Sequence, residues 1–226
     1  MMHIALFGGS FDPIHCGHIT AATRLIERCG MDRVVIIPAA LPPHKRGRQI
    51  ASFSDRKNMI ERAIDGHPHL VLCDIEGRRI GPSYTIDTIE SLLSHFRPED
   101  VLHLVMGSDA FVELDTWKDW ERILTRIRLL VIQRPRTATS SDTQEAERTT
   151  RFLRQVLQYS GPESEGPSAI QVWRHRYRLP IRIVEIDAMP LSSSEIRRRI
   201  RSGASVEGLV PDTVERYIVE RGLYRS

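Results

Sequence analysis

The residues best suited to chemistry lie close to the start of this 226-residue chain. The apolar run Ile4–Phe7 leads directly into Gly8 and Gly9, and His15 and His18 follow at a spacing of three. We expect a short strand, a tight glycine turn and the start of a helix, whose first N–H groups have no partner within the helix. Those N–H groups and the positive end of the helix dipole favour an anion such as a phosphate. The two imidazoles share one helical face at this spacing, so both can donate hydrogen bonds to the same oxygens.

A purely structural role is the alternative for the same residues, because paired glycines are common turns and histidine pairs are more often structural than catalytic. The conjunction of strand, glycine turn, Asp12-Pro13 and two histidines at a helix start is more specific than a bare GxGxxG. It also lacks the Gly-Lys-Ser/Thr of a P-loop. Gly17 has no side chain, and we expect it to leave the histidine face open to a ligand.

A second candidate anion site lies near the carboxyl terminus. Ser192–Ser194 are expected to cap a helix, and Arg197 follows one turn later on the same face as their hydroxyls. Hydroxyls at a helix start and a guanidinium together suit a phosphate. Ordinary capping and a solvated basic face are the alternatives, and we keep the second for Arg198, Arg199 and Arg201. Two anion sites suggest two phosphorylated ligands.

The elements that position these residues alternate between strand and helix. Short apolar runs rich in β-branched residues are typical of a parallel sheet covered on both faces; they are Ile4–Phe7, Val34–Ile37, Leu70–Leu72, Val101–Met106, Arg128–Ile132 and Ile181–Ile186. We therefore predict an α/β fold, a doubly wound, mostly parallel, Rossmann-like sheet with a small helical C-terminal part. In such sheets ligands bind at the carboxyl ends of the strands. Polar residues follow directly there, namely His44, Lys45, Ser108 and Asp109.

The chain is expected to fold as a single domain over residues 1–226, with a helical subregion at about 192–226. The alternation is lost at about 137–178. Within that segment Glu145–Gln158 has a helical pattern, and Ser160–Ser168 is rich in Gly, Pro and Ser. We expect a helical insertion with a mobile connector and no role in chemistry.

Composition limits the compartment and the partners. Lys and Arg number 32 against 29 Asp and Glu, and a net charge of +3 is too small to indicate a nucleic-acid partner. Cys16, Cys29 and Cys73 have no metal-type spacing and suit a reducing cytosol. No signal peptide precedes the first strand, and no apolar run approaches a membrane span. We expect a soluble cytoplasmic protein without a membrane partner, either a monomer or a homodimer.

Two motifs carry a resemblance to a known superfamily. Gly8–His18 resembles the GG(T/S)FDPxHxGH signature of the nucleotidylyltransferases, with Ser10 keeping the hydroxyl of the more usual threonine. Leu191–Arg197 is similar to their second signature, ISSTxIR, with Ser194 in place of threonine. Within the superfamily the best match is the bacterial nicotinate-nucleotide adenylyltransferase family, nearly end to end apart from 137–178. Further matching features, in the family's order, are Pro42–Lys45, Ser83–Thr85, Gly107–Asp109, Thr116–Trp117, Arg134–Pro135 and Gly222–Tyr224.

The resemblance implies transfer of AMP from ATP to nicotinate mononucleotide, which releases pyrophosphate. A phosphate oxygen that is already ionised is the nucleophile, so no proton has to be removed. Catalysis then depends on in-line alignment and charge stabilisation at the α-phosphorus, without a covalent intermediate. Mg²⁺ is expected to be held mainly by ATP phosphates and water, with no metal ligand from the protein. This is consistent with the lack of a Ser/His/Asp set, paired carboxylates or a metal-ligand cluster in the sequence.

The resemblance also implies a role for each matching residue. The catalytic residues, which would hold the ATP phosphates, are His15, His18 and Arg197. The residues that would border or bind ATP are Gly8, Gly9, Ser10, Phe11, Gly107, Asp109 and Ser193. The residues that would bind the mononucleotide are His44, Lys45, Thr85, Trp117 and Lys118. Among them, Trp117 would stack on the pyridine ring, while backbone N–H groups around Thr85 and Lys118 would receive its carboxylate. A core aromatic pair with Trp120 is the alternative for Trp117, and helix capping is the alternative for Thr85.

Other functions remain open at this point. The same transfer could use nicotinamide mononucleotide or phosphopantetheine as the acceptor, although phosphopantetheine adenylyltransferases are typically shorter and lack the Thr116-Trp117 feature. A nucleotide sensor could keep the fold and bind without turnover. A class I aminoacyl-tRNA synthetase fragment would use histidines in the same way, but the chain has no tRNA-binding extension and little net charge.

Overall fold

A computed structural model describes residues 1–42, 50–133, 140–165, 170–187, 189 and 191–225 of the chain. The strands in this described part form one eight-stranded sheet. They are β1 (His3–Gly9), β2 (Arg33–Pro38), β3 (Leu70–Leu72), β4 (Val101–Gly107), β5 (Arg128–Gln133), β6 (Ser160–Glu165), β7 (Ile170–Arg174) and β8 (Ile181–Glu185).

The strand order is β3-β2-β1-β4-β5-β8-β7-β6. The six strands from β3 to β8 are parallel to their neighbours, whereas β7 and β6 are antiparallel additions at one edge. From β1 the chain first builds β2 and β3 on one side, and later returns to place β4 on the other. This reversal leaves a crevice at the carboxyl ends of β1 and β4, which is where doubly wound sheets bind ligands. The predicted α/β, mostly parallel fold is confirmed.

Helices cover both faces of the sheet. They are α1 (Cys16–Cys29), α2 (Phe53–Ile64), α3 (Thr85–Leu93), α4 (Ser108–Phe111), α5 (Trp120–Arg126), α6 (Ser140–Arg151), α7 (Ser193–Arg201) and α8 (Asp212–Glu220). Buried side chains of α1, α2, α7 and α8 share one core with the sheet, and those of α3, α4 and α5 share the other. None of the helices in the described ranges is long and apolar enough to cross a membrane.

Local contacts set the ends of three helices. Ser52 caps α2, because its hydroxyl accepts the N–H of Asp55. Thr116 ends a short 3₁₀ turn, Leu114–Thr116, and α5 begins only at Trp120. Gly30 ends α1 in the left-handed conformation expected of a C-terminal glycine.

The segment expected at 137–178 to be a helix with a connector is partly strand. The helix is present as α6, followed by a π turn at Phe152–Val156. The predicted connector is wrong for Ser160–Glu165, which forms β6, and β7 was not predicted. Most side chains of β6 are exposed, so its membership depends on backbone hydrogen bonds to β7 rather than on apolar residues. An edge strand of this kind carries little sequence signal.

Candidate active site

The two histidines of the first motif cap the start of α1 together. His15 is the N-cap residue, and its N–H donates to His18 Nδ1 at 3.3 Å. The N–H of His18 donates to His15 Nδ1, also at 3.3 Å. Because each Nδ1 accepts a backbone proton, each neutral ring carries its own proton on Nε2. The rings stack with centroids 3.6 Å apart, so the structure brings the two imidazoles together.

Burial keeps the first of these rings neutral. His15 is only 5% exposed, and desolvation lowers its pKa to about 4. At neutral pH the ring is therefore an uncharged Nε2–H donor. Phe11 packs edge-on against His18 with centroids 5.0 Å apart, and its ring is buried. The phenyl ring thus supports the histidine pair, and its position at the border of the nucleotide stays a prediction.

Two glycines of the loop have different surroundings. A Cβ at Gly8 would meet nothing within 4 Å, so this position is open to a ligand. A Cβ at Gly17 would lie 3.0 Å from the Met189 carbonyl oxygen and 3.1 Å from His15 Nδ1. The expectation that Gly17 keeps an open face is therefore wrong, since this glycine instead permits the chain near residue 189 to pack against α1.

Asp12 links this loop to distant parts of the chain. Its buried Oδ1 accepts hydrogen bonds from the N–H of Ala51 at 3.0 Å and the hydroxyl of Tyr224 at 2.7 Å. Arg197 donates from Nη1 to the Asp12 carbonyl oxygen at 2.6 Å and lies 3.3 Å from Oδ2. Oδ2 accepts no hydrogen bond from the described residues, so its contact with Nη1 is electrostatic.

The second predicted anion segment lies against the same loop. Ser192 caps α7 by accepting the N–H of Glu195, as predicted. The Ser193 hydroxyl donates to the Pro13 carbonyl oxygen at 3.0 Å, and Arg197 Nη2 donates to the Ser194 hydroxyl at 3.2 Å. The start of α7 therefore contacts the residues that precede His15, although the two motifs lie far apart in the sequence.

Arg56 was missed by the sequence reasoning. It is 1% exposed and donates to the Ser10 and Ala39 carbonyl oxygens, both at 2.8 Å, and to that of Ala51 at 3.1 Å. Desolvation lowers its pKa, and the Asp12 carboxylate opposes that shift. Arg56 thus joins three segments around the site. A signal did exist, since Arg56 falls on the same helical stripe as the buried Met59 and Ile60.

A cavity of about 400 Å³ opens beside this loop, between the ends of β1 and β4 and the start of α3. Its lining includes seven predicted site residues, namely Gly8, Gly9, Ser10, Thr85, Gly107, Trp117 and Lys118. Most of the remaining wall is apolar, with Ile37 and Leu104 among its members. The cavity lining does not include His15, His18, Phe11, Asp109, Ser193 or Arg197, so the described site residues form two adjoining groups.

The start of α3 faces this cavity. Tyr84 is the N-cap residue and provides no side-chain cap, so the first N–H groups of α3 are left to other partners. The nearby Ser83 hydroxyl is occupied, since it accepts the N–H groups of Ala40 and Leu41 at 3.0 and 3.1 Å. Thr85 does not cap the helix either. An uncapped helix start in an apolar wall suits a small anionic group.

Trp117 and Lys118 form a further part of the wall. Trp117 is partly buried against the core on the α3 side of the sheet, and Trp120 packs on the same core. Lys118 Nζ donates to both oxygens of Asp87 at 2.9 and 3.1 Å and lies 4.9 Å from the centre of the Tyr84 ring. The hydrogen bond to Asp87 raises the pKa of Lys118. The lysine side chain is thus a cation with a partner at the cavity rim.

Glu76 is a second residue that sequence reasoning missed. Its buried carboxylate lines the cavity, accepts the Thr88 hydroxyl at Oε1 at 2.7 Å, and accepts the N–H of Ala40 at Oε2 at 3.3 Å. It follows β3 inside a short 3₁₀ turn, Ile75–Arg78, where no periodic pattern marks it as buried. Its two oxygens anchor the chain around Ala40 to α3.

The Gly107–Asp109 turn lies at the end of β4. Asp109 is exposed, whereas Ser108 is buried and its hydroxyl donates to Glu145 of α6. The segment that was expected to have no role in the site therefore touches its edge. His44 and Lys45, the other predicted mononucleotide residues, lie outside the described residues.

The donor set of the site does not fit a metal held by the protein. In the described ranges no three His, Cys, Asp or Glu side chains converge on a point. Asp12, the buried carboxylate nearest the histidines, already binds Ala51, Tyr224 and Arg197. A divalent cation here would need oxygens from a bound ligand and from water.

The sequence and the fold of this chain are similar to those of known proteins. The cytidylyltransferase-like family matches residues 6–199. Relatives named "probable nicotinate-nucleotide adenylyltransferase" include one from Trichlorobacter lovleyi, 37% identical over 99% of this chain and 100% of the relative. Another, from Desulfatibacillum aliphaticivorans, is 34% identical over the same shares. A third, from Pseudomonas fluorescens, is 37% identical over 99% of this chain and 97% of the relative.

The fold is similar to that of a solved structure at low sequence identity. A Plasmodium falciparum nicotinic acid mononucleotide adenylyltransferase complexed with NaAD aligns with a TM-score of 0.69 and 16% identity, over 99% of this chain and 98% of that one. The same enzyme complexed with APC aligns with a TM-score of 0.67. Full-length sequence relatives, the family match and the shared fold agree. This chain therefore belongs to the cytidylyltransferase-like family and, within it, to the nicotinate-nucleotide adenylyltransferases, which are nucleotidyltransferases.

Proposed function

We propose that this chain transfers the adenylyl group of ATP to nicotinate mononucleotide, giving nicotinate adenine dinucleotide and pyrophosphate. The observation that supports this most is the pairing of two unlike compartments at one sheet edge. The stacked imidazoles of His15 and His18 lie at a helix start, and a largely apolar cavity with Trp117 in its wall lies beside them. A triphosphate suits the first compartment, and a pyridine ring suits the second.

The reaction needs alignment more than proton transfer. A phosphate oxygen of the mononucleotide attacks the α-phosphorus of ATP, the bond from that phosphorus to the bridging oxygen breaks, and pyrophosphate leaves in line. His15 donates from Nε2 to the phosphates as a neutral ring and His18 donates beside it, which stabilises negative charge without removing a nucleophile's proton. Arg197 and Ser193 bind the triphosphate from the start of α7. Mg²⁺ is carried by ATP phosphates and water.

The remaining predicted residues divide between the two ligands. The residues that border the nucleotide are Gly8, Gly9, Ser10, Phe11, Gly107 and Asp109, with Phe11 acting through the ring of His18. In the cavity Trp117 stacks on the pyridine ring. The N–H groups around Thr85 and Lys118 receive its carboxylate at the uncapped start of α3. An acceptor with a carboxylate is favoured there over one with an amide. His44 and Lys45 are proposed to reach the mononucleotide phosphate.

Pyrophosphate release tests the proposal. Purified protein is incubated with ATP and Mg²⁺ and, in turn, nicotinate mononucleotide, nicotinamide mononucleotide and phosphopantetheine, with products identified by mass spectrometry. The expected result is the highest kcat/KM with nicotinate mononucleotide. Faster release with either other acceptor would reassign the substrate. Binding of ATP without release from any acceptor would indicate a nucleotide sensor.

A further inference from the structure

Two tyrosines near the carboxyl terminus reach back to aspartates of the N-terminal half. Tyr217 in α8 donates to Asp55 Oδ1 at 2.9 Å and accepts from Asn58 Nδ2 at 3.0 Å. Tyr224, beyond the end of α8, donates to Asp12 Oδ1 at 2.7 Å. The two bonds are chemically alike, but only the second reaches the loop between β1 and α1.

The Tyr224 side chain is held firmly. Its backbone adopts φ of 63°, which is unfavourable for a residue with a Cβ and persists only where other contacts fix it. Burial, together with the neighbouring Asp12 charge, raises the pKa of Tyr224 well above its usual range. The hydroxyl is therefore a permanent proton donor.

The bond from Tyr224 determines what the Asp12 carboxylate can do. Asp12 is fully buried, and its Oδ1 accepts two protons, from Tyr224 and from the N–H of Ala51. These two bonds fix the plane of the carboxylate. Oδ2 then lies 3.3 Å from Arg197 Nη1 without accepting a hydrogen bond from it, whereas the Asp12 carbonyl oxygen accepts one at 2.6 Å. Arg197 is thus held near Asp12 without a full ion-pair hydrogen bond.

Loss of the Tyr224 hydroxyl would free this carboxylate to rotate. Oδ1 would keep one donor, and the carboxylate could turn towards the guanidinium, where a charge-assisted hydrogen bond is stronger than a neutral one. Arg197 would then be drawn to Asp12 and away from a bound phosphate. The side chain of Arg197 is 18% exposed, so it has a free surface that a ligand can reach.

We propose that Tyr224 is a positioning residue for ATP: by fixing Asp12 it keeps the Arg197 guanidinium available to the triphosphate. Tyr224 itself touches neither substrate. This inference rests on the proposed function, because it takes ATP to be the ligand of Arg197.

The experiment compares Tyr224→Phe with Tyr217→Phe. Each variant removes one hydroxyl that donates to a carboxylate, so both are expected to lower the melting temperature by a few degrees. Only Tyr224→Phe is expected to raise the KM for ATP, by about tenfold, as loss of a hydrogen bond to a charged group implies. The KM for nicotinate mononucleotide should change by less than about twofold in both, since neither hydroxyl lines the cavity. Equal ATP effects in the two variants would overturn the proposal.

A binding measurement separates this result from the proposed function. Calorimetric titration with α,β-methylene ATP, which cannot be cleaved at the reacting bond, gives Kd for wild type, Tyr224→Phe, Arg197→Gln and the double variant. If Tyr224 acts through Arg197, the double variant binds no more weakly than Arg197→Gln alone. Additive losses, or unchanged binding by Tyr224→Phe, would refute the inference even where pyrophosphate assays support adenylyl transfer. Absence of pyrophosphate release by the wild type would refute the proposed function instead.

Discussion

The two compartments of the candidate site are built in opposite ways. The phosphate side, which comprises the loop from Gly8 to His18 with α7 and Tyr224, is dense in hydrogen bonds between charged and polar groups. The cavity beside it is mostly apolar, and its polar members include the start of α3, Lys118 and Glu76. In the proposed function, the first side binds by charge and proton donation, whereas the second binds by shape and ring stacking.

The difference follows from what each side has to recognise. Donors aimed at an anion act well only if they are fixed beforehand, since reorientation during the reaction costs free energy. This explains why His15, Asp12 and Arg56 are buried and each form hydrogen bonds with the backbone. An aromatic ring is recognised by apolar surface, which needs only the right shape. Substitutions should therefore affect turnover on the phosphate side and substrate binding in the cavity.

The largest effect is expected from His18→Ala. Loss of one proton donor to the reacting phosphates should lower kcat by about 10³-fold, in the upper range for a single oxyanion donor. The variant also loses one member of the α1 cap, at about 1 kcal/mol, so the fold should survive with a slightly lower melting temperature. Steady-state kinetics and a circular dichroism melt measure both quantities.

His18→Asn is the matched control for that variant. Its amide oxygen can still accept the N–H of His15, so the cap is retained while the ring is lost. Turnover should fall about as far as in His18→Ala, with a smaller loss of stability. Near-normal turnover in either variant would show that His18 does not donate to the reacting phosphates.

The phosphate side should also carry an acid sensitivity that the cavity lacks. Because the pKa of His15 is about 4 in the fold and near 6.5 unfolded, the unfolded chain binds a proton that the folded one rejects. The free energy of unfolding should therefore fall as the pH falls from about 6.5 towards 4, by up to about 3 kcal/mol from this residue.

His15→Asn tests this contribution, since asparagine is a good N-cap that does not titrate. Urea unfolding at several pH values should show a shallower acid slope for the variant than for wild type. The free energy of unfolding of the variant must still depend on pH in this range, because burial also lowers the pKa of His103, at the far end of the sheet, to about 3. Identical slopes for variant and wild type would show that folding does not lower the pKa of His15.

In the cavity, Trp117→Ala should weaken the binding of nicotinate mononucleotide more than the binding of ATP. Loss of a stacking partner costs about 1–3 kcal/mol, which corresponds to a rise in KM of about tenfold or more for the mononucleotide. The KM for ATP should stay within about twofold. Trp120→Ala is the control, because Trp120 packs on the same core without lining the cavity. Equal losses for both substrates would place the ring of Trp117 elsewhere.

The smallest effect concerns acceptor choice and Lys118. Its charge is 42% exposed and paired with Asp87, so its influence on the pyridine substituent is screened. Lys118→Met should lower the preference for nicotinate over nicotinamide mononucleotide by only about two- to fivefold. Asp87→Asn, which frees the lysine charge, should raise that preference. The measurement is the ratio of the kcat/KM values for the two acceptors. If this ratio rises in Lys118→Met and falls in Asp87→Asn, the Lys118 side chain has no role in acceptor recognition.

Parts of this architecture could be predicted from sequence because they depend on local patterns. Six strands of the parallel sheet were predicted from β-branched runs, and α8 was predicted over its observed residues. By contrast, β6 was missed because an exposed edge strand needs only backbone pairing. Arg56 and Glu76 were missed because their burial depends on loops from other parts of the chain.

What the sequence determined by itself is the type of chemistry. A glycine turn, two histidines at a helix start, and hydroxyls followed by Arg197 predict phosphate-binding groups wherever they lie, since helix starts and charges act locally. Tertiary structure alone decided how these groups are held. The bonds from Tyr224 and Ala51 to Asp12, and from Arg56 to three loops, join residues that are remote in sequence. Such long-range contacts depend on the packing of the whole sheet, which no local pattern records.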